Sequence, residues 1–147
     1  MRVGLEYGDG KLWIELPDDR TTVINPIYDS EIVDPMSAIQ KAIKEPISSR
    51  PLREIVQRGQ SVAISVCDVT RPQLRKEAVG AILSELEGIT TPEDVLIIIA
   101  TGTHRSNTPK ELEQMLGHEI VNTYRVVNHV ASDPSTLVNL GVIGDGV

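Results

Sequence analysis

The chain passes from an apolar stretch into a polar turn at residues 61–72, which read SVAISVCDVTRP. The part before the aspartate is apolar and rich in β-branched residues, which is typical of a strand covered on both faces of a parallel sheet. Asp68, Thr70 and Arg71 follow, and Pro72 suits the first turn of a helix because it fixes φ and has no N–H to leave unpaired. A carboxylate, a hydroxyl and a guanidinium therefore stand at a strand-to-helix junction, where open α/β sheets usually bind ligands.

Helical and strand patterns alternate after this turn. Apolar residues at helical spacing predict a helix with one buried face, formed by Leu74, Ala78, Val79, Ile82, Leu83 and Leu86. Residues 94–100, DVLIIIA, predict a second buried strand, and residues 108–111, TPKE, predict a capping box that opens another helix. Short strands are predicted at 124–127 and at 137–142. This order of elements predicts an α/β fold, with a Rossmann-like parallel sheet and flanking helices.

The N-terminal segment predicts a β-hairpin ahead of this sheet. Residues 2–7 and 11–16 alternate in polarity and flank the turn signal Gly8-Asp9-Gly10. A third strand is predicted at 21–24. Asp34 and Pro35 then predict the N-cap and the first residue of a helix.

Composition narrows the class of protein. The chain has 147 residues, a formal net charge of −7 and no run of Lys and Arg, which argues against nucleic acid as a partner. No stretch approaches the ~20 apolar residues of a transmembrane helix, and the N-terminus does not read as a signal peptide. The single cysteine, Cys67, excludes an internal disulfide and a multi-cysteine metal site. We therefore expect a cytoplasmic protein without a membrane partner, whose last residues, 141–147, look like a chain cut short.

Polar residues follow both predicted buried strands at their carboxyl ends. Because parallel strands end at the same edge of a sheet, Asp68, Arg71 and His104 are expected along that edge, and they converge on one crevice if the two strands are adjacent. An arginine at a helix start is electrostatically unfavourable, and an anion bound beside Arg71 would resolve that conflict. The alternative is an ion pair between Arg71 and Asp68 that only braces the turn.

The loop after the second strand offers further candidates. Thr101, Gly102 and Thr103 supply hydroxyls and close backbone approach ahead of a capped helix, which suits a phosphate or a carboxylate. The alternative is an ordinary connecting loop. His104 is a candidate general base, because the pKa of a histidine lies near ~6.5, and the alternative is a surface residue.

Three other residues receive no site role. His118 is expected in solvent after a helix end, and Cys67 is expected to be a buried strand residue. For His129, the roles of ligand, core hydrogen bonder and surface residue all stay open. We predict no metal ligand in this chain, since no set of residues has metal-ligand spacing.

Two motifs in combination carry a family resemblance. DVTRP at 68–72 and ATGTHR at 100–105, together with YGDGKLWIELP at 7–17 and PLREIVQRGQ at 51–60, resemble the nickel-pincer lactate racemase family. The resemblance implies a longer, two-domain enzyme in which residues 1–147 are the first portion of the N-terminal α/β domain. The C-terminal domain, the cofactor-tethering lysine, the nickel-binding histidine and the second catalytic histidine would lie in later sequence.

The resemblance also implies a reaction. Such enzymes invert the carbon of a small 2-hydroxy acid: a histidine takes the hydroxyl proton while hydride leaves the carbon for a nickel-pincer nucleotide. On this resemblance His104 matches a catalytic acid–base histidine, and Arg71 matches the arginine that binds the substrate carboxylate. The positions that match the surroundings of the cofactor are Asp68, Thr70, Thr101, Gly102 and Thr103.

Two alternatives to this function remain from the sequence. One is a family member that catalyses a different reaction on a related hydroxy acid, and the other is a non-catalytic, anion-binding α/β module. A homo-oligomer is compatible with each of these functions. The substrate itself is not specified by the sequence.

Overall fold

A computed structural model of the chain describes residues 1–139 and 141. The strands are β1 (Arg2–Tyr7), β2 (Gly10–Glu15), β3 (Val62–Cys67), β4 (Val95–Ala100) and β5 (Arg125–Asn128). The helices are α1 (Pro35–Lys44), α2 (Leu52–Ile55), α3 (Arg75–Leu86), α4 (Pro109–Leu116) and α5 (His118–Thr123). These elements fall into two compact units, one over Met1–Glu31 and one that begins at Ile32.

The first unit contains the predicted hairpin. β1 and β2 pair antiparallel, with Gly4 opposite Trp13, and Gly8 has the positive φ of +58° that the connecting turn requires. The guanidinium of Arg2 lies 4.8 Å from the centre of the Trp13 ring, a distance at which a cation–π interaction forms. The third strand predicted at 21–24 is wrong, since these residues have no regular structure. Ile24 is exposed and, among the described residues, packs against no apolar surface that would hold a strand there.

The second unit contains a parallel sheet in the order β3-β4-β5. Its register aligns Ile64 of β3 with Ile97 of β4, which in turn aligns with Val126 of β5. Ile97 on that face and Leu116 of α4 are fully buried, in one cluster with other residues of α3 and α4. Burying a side chain of this size stabilises the fold by roughly 1.5–3 kcal/mol. The predicted Rossmann-like α/β fold is confirmed.

The other face of the sheet is more open. Within the described residues Ala63, Ser65 and Ala100 are exposed, because the helices whose apolar residues join the core all pack against the opposite face. The expectation that β3 is covered on both faces is therefore wrong for this part of the chain. Its β-branched residues mark a strand, but they do not report how many of its faces are covered.

The start of α3 also differs from the prediction. The helix begins at Arg75 and not at Pro72, and Leu74 is exposed rather than part of the buried face. Leu74 has a non-helical ψ of 61° and is the N-cap of the helix. As a consequence Arg71 lies in a turn ahead of the helix, so the argument that a helix start disfavours its charge does not apply.

The helix caps agree with the sequence-based predictions better than the start of α3 does. The Asp34 side chain accepts a hydrogen bond from the Ser37 amide at 3.0 Å, and Thr108 and Glu111 form the predicted capping box of α4. α5 is not predicted by the pattern, since it follows α4 directly after Gly117. Of the strand predicted at 137–142, residues 137–139 and 141 have no regular structure and the remainder lies outside the described residues. Within the described part of the chain, every helix is too short or too polar to cross a bilayer.

Candidate functional site

The turn after β3 holds a buried carboxylate. The Asp68 carbonyl accepts a hydrogen bond from the Arg71 amide at 3.3 Å, which closes the turn. Asp68 Oδ1 accepts from both the amide and the hydroxyl of Thr70, at 3.1 and 2.6 Å. Hydrogen bonds from the Thr70 side chain and then from His104 keep the pKa of the Asp68 carboxyl below its usual value. Asp68 is therefore a carboxylate, although only 4% of its surface is exposed.

The second oxygen of this carboxylate holds His104. Asp68 Oδ2 lies 2.5 Å from His104 Nδ1. An ionised carboxylate can only accept hydrogen bonds, so Nδ1 is the donor, and in the neutral form of the ring the lone pair lies on Nε2. The His104 side chain is 49% exposed, so a ligand can reach the ring. This arrangement fixes the tautomer that a general base needs.

The loop after β4 is tied to the end of β5. The Thr101 hydroxyl donates to the His129 carbonyl, and the His129 amide donates to the Ile99 carbonyl at 3.0 Å. Further along, the Asn128 side chain accepts from the Asn107 amide at 2.9 Å and donates to its carbonyl at 3.1 Å. His129 therefore contributes its backbone to holding this loop.

Arg105 and Glu111 fix the far side of the same loop. Two guanidinium nitrogens of Arg105 donate to the two carboxylate oxygens of Glu111, at 2.9 and 2.8 Å. Glu111 also accepts from the Thr108 amide at 2.7 Å. These bonds, with Arg105 the largest cause, lower the pKa of Glu111 to about 2. Arg105 is thus engaged in the loop itself.

The Glu111 contacts predict a pH-dependent stability. Glu111 should stabilise the fold fully above its ordinary pKa of 4.5, and that contribution should disappear as the pH falls toward about 2. We therefore expect Glu111→Gln to melt below wild type at neutral pH, with the gap closing between these two pH values. Melting temperatures of both proteins over this range, with the exposed Glu113→Gln as a control, would measure it. A gap that persists at low pH would contradict the assignment.

The predicted residues converge on one cleft of about 350 Å³. Its lining comprises Cys67, Asp68, Arg71, Ala100, Thr101, Gly102, Thr103 and His104. Arg71 is exposed, and among the described residues its guanidinium has no carboxylate within 4.0 Å. The alternative of an Arg71–Asp68 ion pair is therefore not what the structure shows, since Asp68 instead contacts Thr70 and His104. A second cleft of about 430 Å³ lies beside the first and shares Gly102, Thr103 and His104.

Two of the predicted cofactor positions have hydroxyls that are hydrogen-bonded within the protein. Thr70 is not part of the cleft lining, and its hydroxyl supports Asp68. Thr101 is 2% exposed, and its hydroxyl is taken by the His129 carbonyl. The roles of Asp68, Gly102 and Thr103 toward a cofactor stay predictions. His118 is exposed on α5, where it pairs with Glu113 at 3.4 Å.

Arg75 is a buried charged residue beside the cleft that was not predicted from the sequence. Arg75 is 8% exposed, and its Nε donates to the Cys67 carbonyl at 2.9 Å while Nη2 donates to the carbonyls of Asp68 and Arg71. The available signal was its spacing, because Arg75 precedes Val79 and Leu83 on the buried face of α3. A charged residue on a buried helix face usually has buried hydrogen-bond partners.

The polar side chains of the cleft can be compared with the ligands that a metal ion needs. Within residues 1–139 and 141, there is no group of three or more His, Cys, Asp or Glu side chains arranged to hold a metal ion. The donors of the cleft are a guanidinium, hydroxyls, backbone groups and one His–Asp pair. This set suits an anionic, hydroxyl-bearing ligand better than a metal ion.

Comparisons with known proteins agree on one family. A family model described as the lactate racemase N-terminal domain matches residues 7–147. The lactate racemase of Lactiplantibacillus plantarum is 28% identical over 147 residues, covering 90% of this chain and 35% of the relative. That of Thermoanaerobacterium thermosaccharolyticum is 26% identical, covering 98% and 34%.

A solved structure gives the same result for the fold. The lactate racemase apoprotein from Thermoanaerobacterium thermosaccharolyticum matches with a TM-score of 0.76 at 25% identity, covering 99% of this chain and 34% of that chain. The chain thus spans about a third of the length of the curated relatives it matches.

Proposed function

This chain belongs to the family of lactate racemase N-terminal domains, which its residues 7–147 match, and we propose that it supplies the carboxylate-binding and acid–base part of a 2-hydroxy-acid racemase or epimerase. The observation that carries the proposal is the 2.5 Å contact between His104 Nδ1 and Asp68, made in the same cleft that Arg71 lines. The complete enzyme would have the length of the relatives, with a C-terminal domain after this α/β portion. Lactate is the substrate that the names of those relatives suggest.

Arg71 would bind the substrate carboxylate. Its guanidinium is exposed at the cleft and has no carboxylate partner among the described residues, so its charge is available to an anion. A planar guanidinium matches both oxygens of a carboxylate, which fixes orientation as well as distance. The hydroxyl at the neighbouring carbon would then lie within the same cleft as His104.

His104 would move the hydroxyl proton. Its Nε2 holds the lone pair that accepts the proton, and the Asp68 carboxylate on Nδ1 then stabilises the imidazolium that forms. Because Asp68 is itself held by Thr70, the ring is oriented before the substrate binds. Asp68 is thus proposed to be a positioning residue for His104, in addition to lying near the cofactor.

The cofactor is the second part of the proposal. On the family resemblance it is a nickel-pincer nucleotide, a group that accepts a hydride from the substrate carbon and returns it. The cleft donors described above suit the anionic and hydroxyl groups of a nucleotide, and Gly102 and Thr103 line both clefts beside His104. We assign none of the described residues to the nickel ion, because on the family resemblance the nickel-binding histidine lies in later sequence.

A rival function is favoured by one observation. An exposed arginine beside a Gly-Thr loop also suits a non-catalytic, anion-binding module. Such a module would bind carboxylates without using His104. The two functions can therefore be separated by whether the ligand hydroxyl reaches the histidine.

NMR titration with three small ligands tests this proposal. Lactate should perturb the side-chain signals of both Arg71 and His104, propionate should perturb those of Arg71 alone, and lactamide should perturb neither appreciably because it lacks the carboxylate. Equal responses to lactate and propionate, with His104 silent, would support the binding module instead. No response of Arg71 to either acid would contradict both functions.

We also propose a cellular location and a class of partner for the enzyme. The single cysteine and the acidic charge of −7 are compatible with a cytoplasmic enzyme that acts on a small molecule and has neither nucleic acid nor membrane as a partner. A homo-oligomer is compatible with this proposal.

A further inference from the structure

Arg75 is a buried cation whose partners are all backbone carbonyls. Its guanidinium contacts three of them, and within the described residues it has no carboxylate within 4.0 Å. Taking a charged group out of water is costly unless hydrogen bonds replace the lost hydration. An apolar residue at this position would fill the buried helix face without that cost. The position therefore uses what only a guanidinium offers, several donors with fixed directions.

The three carbonyls mark both ends of the turn that forms the site. The Cys67 carbonyl ends β3, the Asp68 carbonyl belongs to the residue that holds His104, and the Arg71 carbonyl belongs to the residue at the cleft. The hydrogen bond from the Arg71 amide to the Asp68 carbonyl closes this turn. Arg75 donates a second hydrogen bond to the same carbonyl and so reinforces the turn. The Arg75 side chain thereby connects α3 to the backbone of both Asp68 and Arg71.

We propose that Arg75 is a positioning residue that sets the placement of the Asp68–His104 pair relative to Arg71. The inference rests on the proposed function for its catalytic consequence, although the hydrogen bonds themselves do not depend on the substrate. Arg75 sits behind the turn and is absent from the cleft lining. It therefore acts through Asp68 and Arg71 rather than on a ligand. A lysine would keep the charge but lacks a second nitrogen, so it cannot reach all three carbonyls in the same way.

The chain offers a matched control at the other end of α3. Arg53 of α2 also uses its guanidinium on backbone carbonyls, donating to Glu85 at 2.9 Å and to Glu87 at 3.3 Å. It thus resembles Arg75 in its partners but does not line the cleft. Arg53→Met removes an arginine–carbonyl contact from α3 without touching the turn after β3.

The experiment compares Arg75→Met, Arg75→Lys and Arg53→Met in the complete, cofactor-loaded protein. The first readout is the downfield NMR signal of the His104 Nδ1 proton bonded to Asp68, and the second is kcat/KM for lactate. We expect Arg75→Met to weaken or lose the proton signal and to lower kcat/KM by about 10²-fold, because misplacement by about 1 Å has that order of effect. Arg53→Met should leave both near wild type even where it lowers the melting temperature.

The outcomes separate this inference from the proposed function. A wild-type His104 proton signal in Arg75→Met, or an equal loss in Arg53→Met, overturns the positioning role. If Arg75→Met does not fold, Arg75→Lys decides, since a folded lysine variant with wild-type proton signal and kcat/KM also overturns it. If the wild-type protein does not act on lactate, the proposed function fails, and the proton signals of the variants still test Arg75.

Discussion

Replacing His104 with asparagine in the complete, cofactor-loaded enzyme should lower turnover by about 10²–10⁴-fold, the usual contribution of general acid–base catalysis. Asparagine can still donate to Asp68, so the carboxylate keeps a partner, but it cannot accept a proton near neutral pH. His104 is half-exposed at a cleft, so the change should leave the core intact. Rates from each lactate enantiomer, measured separately by chiral chromatography, would show this loss.

The two enantiomers have the same free energy, so His104→Asn must lower kcat/KM by the same factor from both. On the family resemblance a second histidine serves the opposite enantiomer, so kcat and KM taken separately can change differently in the two directions. Melting temperature and cofactor content should stay at wild-type values, and His118→Asn, at an exposed histidine on α5, should leave the rate unchanged. Wild-type rates in both directions for His104→Asn would remove the acid–base role from this residue.

Replacing Arg71 with lysine should reduce kcat/KM for lactate by about 10- to 150-fold, the equivalent of roughly 1.5–3 kcal/mol of charge-assisted hydrogen bonding. Lysine keeps the positive charge and loses the planar pair of donors, so the cost is one of geometry. The change should fall on substrate use more than on cofactor content, because Arg71 is proposed to bind the carboxylate.

Steady-state kinetics and nickel content of the variant are the two measurements needed. Arg58→Lys, at an exposed arginine outside the cleft lining, provides the matched control. Unchanged kcat/KM together with lost nickel would mean that Arg71 serves the cofactor. A parallel loss in Arg58→Lys would mean that the effect does not come from a contact specific to Arg71.

The convergence of the site could be predicted because it follows from topology. β3 and β4 are parallel neighbours, so the residues after each strand meet at the same sheet edge regardless of side-chain detail. That is why Asp68, Arg71 and His104 share a cleft in the structure as expected. The capping box of α4 was predictable for a similar reason, since all its contacts lie within one turn of chain.

The pairing of the site residues could not be predicted in the same way. The contact between Asp68 and His104 joins residues 36 positions apart and depends on the exact course of two loops. From sequence alone Arg71 was an equally suitable partner for Asp68. Which of the two is chosen depends on rotamers and loop positions, and neither leaves a periodic pattern.

Arg75 was missed for a different reason. Its partners are main-chain carbonyls, and a carbonyl has no residue type that a sequence could reveal. The hydrogen bond from the Thr101 hydroxyl to the His129 carbonyl was hidden for the same reason, whereas Thr101 itself was among the predicted site residues. A hydroxyl near a predicted ligand site suggests a ligand contact. A buried hydroxyl, however, usually forms a hydrogen bond with the backbone around it.

The conversion of single lactate enantiomers by the complete, cofactor-loaded protein tests the central claim most directly. The protein is incubated with pure D-lactate or pure L-lactate, and the two enantiomers are quantified over time. We predict that both reactions approach the same equal mixture, and that His104→Asn slows this approach. Lactate that binds in the cleft yet keeps its configuration in both reactions would contradict the proposed racemase and leave an anion-binding module.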